Sequence, residues 1–174
     1  MTAPHLTREA HRDQDPAERE ERQIRHRVGV RVAGAGHAHR EGLLDTSVVL
    51  LLSTIEDPGS LPEFPTASAI TLADLSVGPL CARTDAERAA RQAVPQQFEA
   101  DFDPLPFDVR AARAFGRVAA SLRTAGRKVG ARSYDAMIAA IAIAHGLPLY
   151  TANPDGFRGI DGLEVRVVEA CVDG

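Results

Sequence analysis

Four short stretches of the chain set an Asp beside apolar residues: Leu43-Leu44-Asp45-Thr46-Ser47, Thr71-Leu72-Ala73-Asp74-Leu75, Tyr134-Asp135-Ala136-Met137-Ile138 and Thr151-Ala152-Asn153-Pro154-Asp155. An ionised carboxylate is costly to bury unless positive charge compensates it. Acids gathered at one place repel one another, and either take up protons or recruit a cation. Donors that are all oxygen favour a hard dication such as Mg²⁺ or Mn²⁺. Each Asp also has a plainer use. Asp45 suits a helix N-cap. Asp135 opens a helix and complements its dipole. Asp74, among Leu72, Leu75 and Val77, reads as a helix-surface residue. Asn153-Pro154-Asp155-Gly156 is a type I turn sequence, with Pro second and Gly fourth.

The surrounding pattern supplies elements able to bring these acids together. Residues 42–45, 66–70, 147–151 and 163–168 read as strands, and 105–107 as a brief edge strand. Residues 47–55 form an apolar turn or helix ended by Asp57-Pro58-Gly59. Helices are expected over 71–81, over 85–98 with a break at Pro95, over 109–124 capped by Asp108, and over 134–145 capped by Ser133. The last is apolar on every side from Ala136 to Ala144, which marks it as a core helix. Strands alternating with helices predict an α/β fold with a mostly parallel central sheet flanked by helices. Sites in such sheets lie at the carboxyl ends of strands, where Asp45 and Asp155 both fall.

Composition divides the chain near Glu41. Residues 1–41 hold His5, His11, His26, His37 and His39 amid Arg and Glu, with no aromatic residue. Such a segment buries too little apolar surface to offset its ordering entropy. It is expected to be a disordered or weakly helical N-terminal extension, or an artefact of start-site assignment, ahead of one domain over 42–174. The pair His37 and His39 lacks a third ligand nearby and reads as solvated tail. The net charge of −4 argues against a general DNA-coating protein. Cys81 and Cys171 have no metal-type spacing and suggest a reduced, cytoplasmic protein. No apolar run reaches membrane-span length, so no membrane partner is expected.

Taken as an ordered set, these stretches resemble the PIN-domain ribonucleases, in particular the VapC toxins of bacterial type II toxin–antitoxin pairs. The matching segments run from Leu43-Leu44-Asp45-Thr46-Ser47-Val48 through Ser68-Ala69-Ile70-Thr71-Leu72-Ala73-Asp74-Leu75 and Tyr134-Asp135-Ala136-Met137-Ile138-Ala139-Ala140 to Thr151-Ala152-Asn153-Pro154-Asp155-Gly156-Phe157. The resemblance implies a PIN-like fold and a metal-dependent endoribonuclease acting on structured RNA, tRNA or rRNA. It also implies a homodimer and a cognate antitoxin protein. By this resemblance Asp45 and Asp135 are the main Mg²⁺ (or Mn²⁺) ligands. Asp74 and Asp155 complete a catalytic acidic cluster, supported by Thr46 and Asn153. Two features depart from the family pattern. The second acid is usually Glu and here is Asp74, shorter by about 1.5 Å of reach. The extension before the first strand is also longer than the family's.

An acidic pocket needs neighbouring positive charge to accept RNA phosphates. Between Asp108 and Asp135 stand Arg110, Arg113, Arg117, Arg123, Arg127, Lys128 and Arg132, with no acid among them. Arg110, Arg113 and Arg117 read as a solvated helix face. Arg123, Arg127, Lys128 and Arg132, leading into Asp135, are the expected RNA contacts. The competing reading is a catalytically weak or inactive PIN-like module that binds RNA or protein. A haloacid-dehalogenase-type phosphotransferase also opens with a strand and an Asp, but Ser47 stands where it requires a second Asp.

Overall fold

The computed structural model describes residues 40–128, 130 and 133–169. The expected N-terminal extension lies outside the described residues, save for its last two, and so does Arg132. Four parallel strands form one sheet: β1 (Glu41–Leu44), β2 (Phe64–Thr66), β3 (Leu149–Thr151) and β4 (Val165–Val167), in the order β2-β1-β3-β4. Five helices accompany them: α1 (Thr46–Leu51), α2 (Ala69–Leu80), α3 (Asp85–Asp101), α4 (Val109–Thr124) and α5 (Ser133–His145). The expected α/β architecture is therefore observed.

Strand residues alternate between faces, and the core follows that period. Leu43 and Leu149 pack with Ala111, Val118, Ile138 and Ile141 of α4 and α5. Their neighbours Leu44 and Tyr150 turn the other way, against Val48, Leu75, Phe98 and Phe102. Both faces of β1 and β3 are covered, as a parallel sheet requires. From β1 the chain crosses to β2 on one side, and later returns to β3 on the other. Such a reversal opens a crevice at the carboxyl ends of the two central strands. Asp45 and the segment after Thr151 border it.

Several boundaries differ from the sequence expectation. The second strand ends at Thr66, because Ser68 caps α2 and accepts a hydrogen bond from Thr71 N at 3.0 Å. Pro65 is tolerated since β2 is an edge strand. The brief strand at 105–107 reduces to a single bridge, Leu105 to Ser68. Pro95 does not break its helix, which continues to Asp101. Pro95 and Phe98 are its buried residues, so this face packs inward and offsets the lost hydrogen bond. Asp108 caps α4 as expected, accepting from Ala111 N at 2.8 Å. That bond holds the Asp108 carboxyl below the usual carboxylate range. Among the described residues no helix is long and apolar enough to cross a membrane.

Candidate acidic centre at the carboxyl end of the sheet

Asp45 stands at the N-cap position of α1, yet its side chain makes no capping hydrogen bond. The carboxylate is 5 % exposed and turns instead toward β3. Oδ2 accepts from Ser47 Oγ at 2.6 Å and from Thr151 Oγ1 at 2.8 Å. Ser47 Oγ in turn accepts from Ala152 N at 3.0 Å, and Thr151 Oγ1 from Asn153 N at 2.9 Å. A hydroxyl carries one proton, and the backbone N–H groups occupy its acceptor side. Both protons therefore point at Oδ2. The 3.2 Å approach of the two hydroxyl oxygens is two donors sharing one acceptor. Oδ2 is fully engaged, and Oδ1 is the oxygen left to face a ligand.

Asp135 reaches the same strand end from α5, which runs antiparallel to β3 and so begins where β3 finishes. An ideal Cβ at Gly156 would lie 2.9 Å from Asp135 Oδ2 and 3.8 Å from Asn153 Nδ2. The turn backbone thus rests directly on the Asp135 carboxylate, with the Asn153 amide beside it. Asp45 and Asp135 contact the two ends of one segment, residues 151–156. His145, at the opposite end of α5, is about 15 Å from Asp135 at 1.5 Å per residue. As the spacing predicted, it takes no part in this centre.

Asp74 is half-buried in the second turn of α2. It shares a cavity of about 210 Å³ with Thr46, Leu50 and Arg91. Thr46 Oγ1 is buried with no hydrogen-bond partner among the described residues. Thr46, which follows Asp45, and Asp74 thus line one cavity on the α2 side. Asp155 is arranged differently. Its carboxylate is 68 % exposed and pairs with Arg158 at 2.8 Å. Its carbonyl accepts from Arg127 Nη2 at 2.6 Å. Arg123 and Lys128 are exposed, whereas the half-buried Arg127 guanidinium is turned into this turn. Tyr150, just before Thr151, has its hydroxyl pushed above the ordinary range by burial, so it stays protonated and is no base.

Sequence reasoning missed Ser47 and Thr151, which hold Asp45. The available signal was a hydroxyl two places after the Asp and another at the end of an otherwise apolar strand. Among the described residues no three His, Cys, Asp or Glu side chains converge into a full metal cage. Mg²⁺ does not require one, since it keeps several waters and commonly takes one or two carboxylates. The donors present fit such an ion: the outward Oδ1 of Asp45, the Asp135 carboxylate and the orphaned hydroxyl of Thr46.

A parallel α/β sheet carries Asp45 and the turn that touches Asp135 at its switch point. The chain belongs to the PIN-domain family, whose model matches residues 42–163. It is similar to Ribonuclease VapC5 of Mycobacterium tuberculosis, 38 % identical over 70 % of this chain and 88 % of that protein. It is also similar to Ribonuclease VapC4 of the same organism, 34 % identical over 74 % of this chain and 98 % of that protein. Among solved structures, the VapBC-5 member of the VapBC toxin–antitoxin family from M. tuberculosis superposes with a TM-score of 0.62. The identity there is 36 %, over 75 % of this chain and 99 % of the other. The resemblance read from the four acidic stretches is thereby borne out.

Proposed function

We propose that this chain is a metal-dependent endoribonuclease, the toxin of a toxin–antitoxin pair, cleaving structured RNA such as tRNA or rRNA. The observation that carries the reading is Asp45, nearly buried, uncapped and presented by two hydroxyl donors beside the turn that holds Asp135. Names of the relatives support the reaction class. Asp45 and Asp135 would hold Mg²⁺ or Mn²⁺, and the bound ion would supply water activation and charge neutralisation on the scissile phosphate. Asp74 from α2, or Asp155 from the turn after β3, would orient the attacking water. Asn153 would support the site with its side-chain amide beside Asp135, and Thr46 with its buried hydroxyl. Arg123, Lys128 and Arg132 supply positive charge for the RNA backbone. An antitoxin protein is the second partner, and a homodimer the assembly. An apolar groove of about 800 Å³ between α1 and α3 gives a protein partner surface to cover.

Expression with and without the neighbouring gene product, with RNA ends mapped, tests this. Growth arrest with new ends, relieved by the neighbour, is expected. Intact RNA and normal growth under full expression contradict it. The Arg158 pairing of Asp155 favours the second reading, a weak or inactive binding module. RNA bound tightly but left uncut with Mg²⁺ and Mn²⁺ would establish that one.

Two predictions follow from the Asp45–Thr151–Gly156 geometry. Thr151→Val keeps the shape but removes one donor from Asp45 and the acceptor of Asn153 N. Outer-shell partners of this kind are worth roughly 10–100-fold in metal affinity. Mn²⁺ titration should show a loss in that range for Thr151→Val, and near-native binding for Thr151→Ser. Equal binding by both would mean the hydroxyl does nothing for Asp45. Gly156→Ala should weaken Mn²⁺ binding by about tenfold. No positive φ is needed at Gly156, so the added methyl acts only by displacing the Asp135 carboxylate. An unchanged titration would place the ion away from Asp135.

A further inference from the structure

The Pro154–Gly156 turn lies on the Asp135 carboxylate, and the chain leaving α4 is bonded to residues of the same turn. Gly126 takes φ +72 to end α4, and Arg127 N returns to Leu122 O at 2.8 Å. The Arg127 backbone is therefore fixed to the helix end. Its guanidinium crosses to the turn, Nη1 donating to Arg158 O and Nη2 to Asp155 O, each at 2.6 Å. The two carbonyls bracket residues 155–158. The same junction is closed a second time at Gly159, φ +81, where an ideal Cβ would lie 2.8 Å from Ala125 Cβ. On its far side the turn meets Asp135 Oδ2 through Gly156.

We propose that Arg127 is a positioning residue for the acidic centre: it clamps the 155–158 turn to α4 and thereby fixes Asp135 and Asn153 relative to Asp45. This departs from the expectation that Arg127 contacts RNA, and it rests on the metal-centre reading above. The planar guanidinium satisfies two diverging carbonyls at once, whereas a Lys ammonium is a point charge on a flexible stem. Lys at this position keeps the charge and loses the clamp. Arg123 and Lys128, both exposed, remain available to phosphates.

The test compares wild type, Arg127→Lys and Gly159→Ala, the last loosening the same junction from the turn side. Three readouts are taken on the full chain: hydrogen exchange at the amides of residues 155–159 without metal, Mn²⁺ affinity without RNA, and affinity for an RNA oligonucleotide in EDTA. Both variants should exchange faster across the turn and bind Mn²⁺ about tenfold more weakly. RNA affinity of Arg127→Lys should stay within about twofold, because its charge is retained. Native Mn²⁺ affinity in Arg127→Lys overturns the proposal, whatever the exchange shows. An RNA affinity that falls while exchange and Mn²⁺ binding hold returns Arg127 to a phosphate contact. A wild type that binds no Mn²⁺ overturns the metal-centre reading itself and removes the centre Arg127 was proposed to position, whether or not the turn loosens.

Discussion

Asp45→Asn should lower RNA cleavage by more than a hundredfold while leaving the protein folded. The substitution is nearly isosteric, and the Asn carbonyl can still accept from Ser47 and Thr151. What is lost is the charge on the oxygen that faces outward. Removing an outer partner of a metal ligand costs roughly 10–100-fold, and removing the ligand itself should exceed that. The measurement is single-turnover cleavage of a mapped RNA at saturating Mg²⁺, beside a thermal melt. Loss of activity with an unchanged melt supports Asp45 as a ligand. Retained activity would make its two hydroxyl donors a structural strap between β1 and β3.

The second large effect is on stability. Ile141, fully buried in α5, packs into the core on the α4 side of the sheet. Ile141→Ala should cost about 2–5 kcal/mol, through lost burial and the cavity left behind. Against a total stability on the order of 5–15 kcal/mol, that is a substantial fraction. The melting temperature should fall by roughly 10 °C, read by calorimetry or circular dichroism. A fall of a degree or two would mean that α5 closes over the gap. The change also bears on function, since α5 carries Asp135, and loosening its seat weakens the centre before the fold is lost.

These two residues mark what the sequence discloses. The all-round apolar run from Ala136 to Ala144 could only be a core helix, and α5 is one. Gly42-Leu43-Leu44 read as buried strand, and the alternation of Leu43 and Leu44 between the two cores explains why both are apolar. Asp108 announced the start of α4 by local chemistry alone. Local chemistry was misjudged where two signals competed. Ser68 is β-compatible by neighbourhood but caps α2, and Pro95 breaks a free helix but not one whose buried face holds it. The contacts between distant residues were not legible. Thr151 meets Asp45 across 106 positions, and Arg127 meets Asp155 across 28. No local pattern assigns a hydroxyl to a particular carboxylate, or an Arg to a particular turn. The acids themselves stood out because Asp is conspicuous inside apolar sequence, whereas Ser47 and Thr151 are not.

The most direct measurement is anomalous diffraction from crystals soaked in Mn²⁺. One ion, about 2.1 Å from Asp45 Oδ1 and a carboxylate oxygen of Asp135, is the predicted result. Ions at two separate places, or cleavage-competent crystals with density at neither Asp, would contradict a shared site.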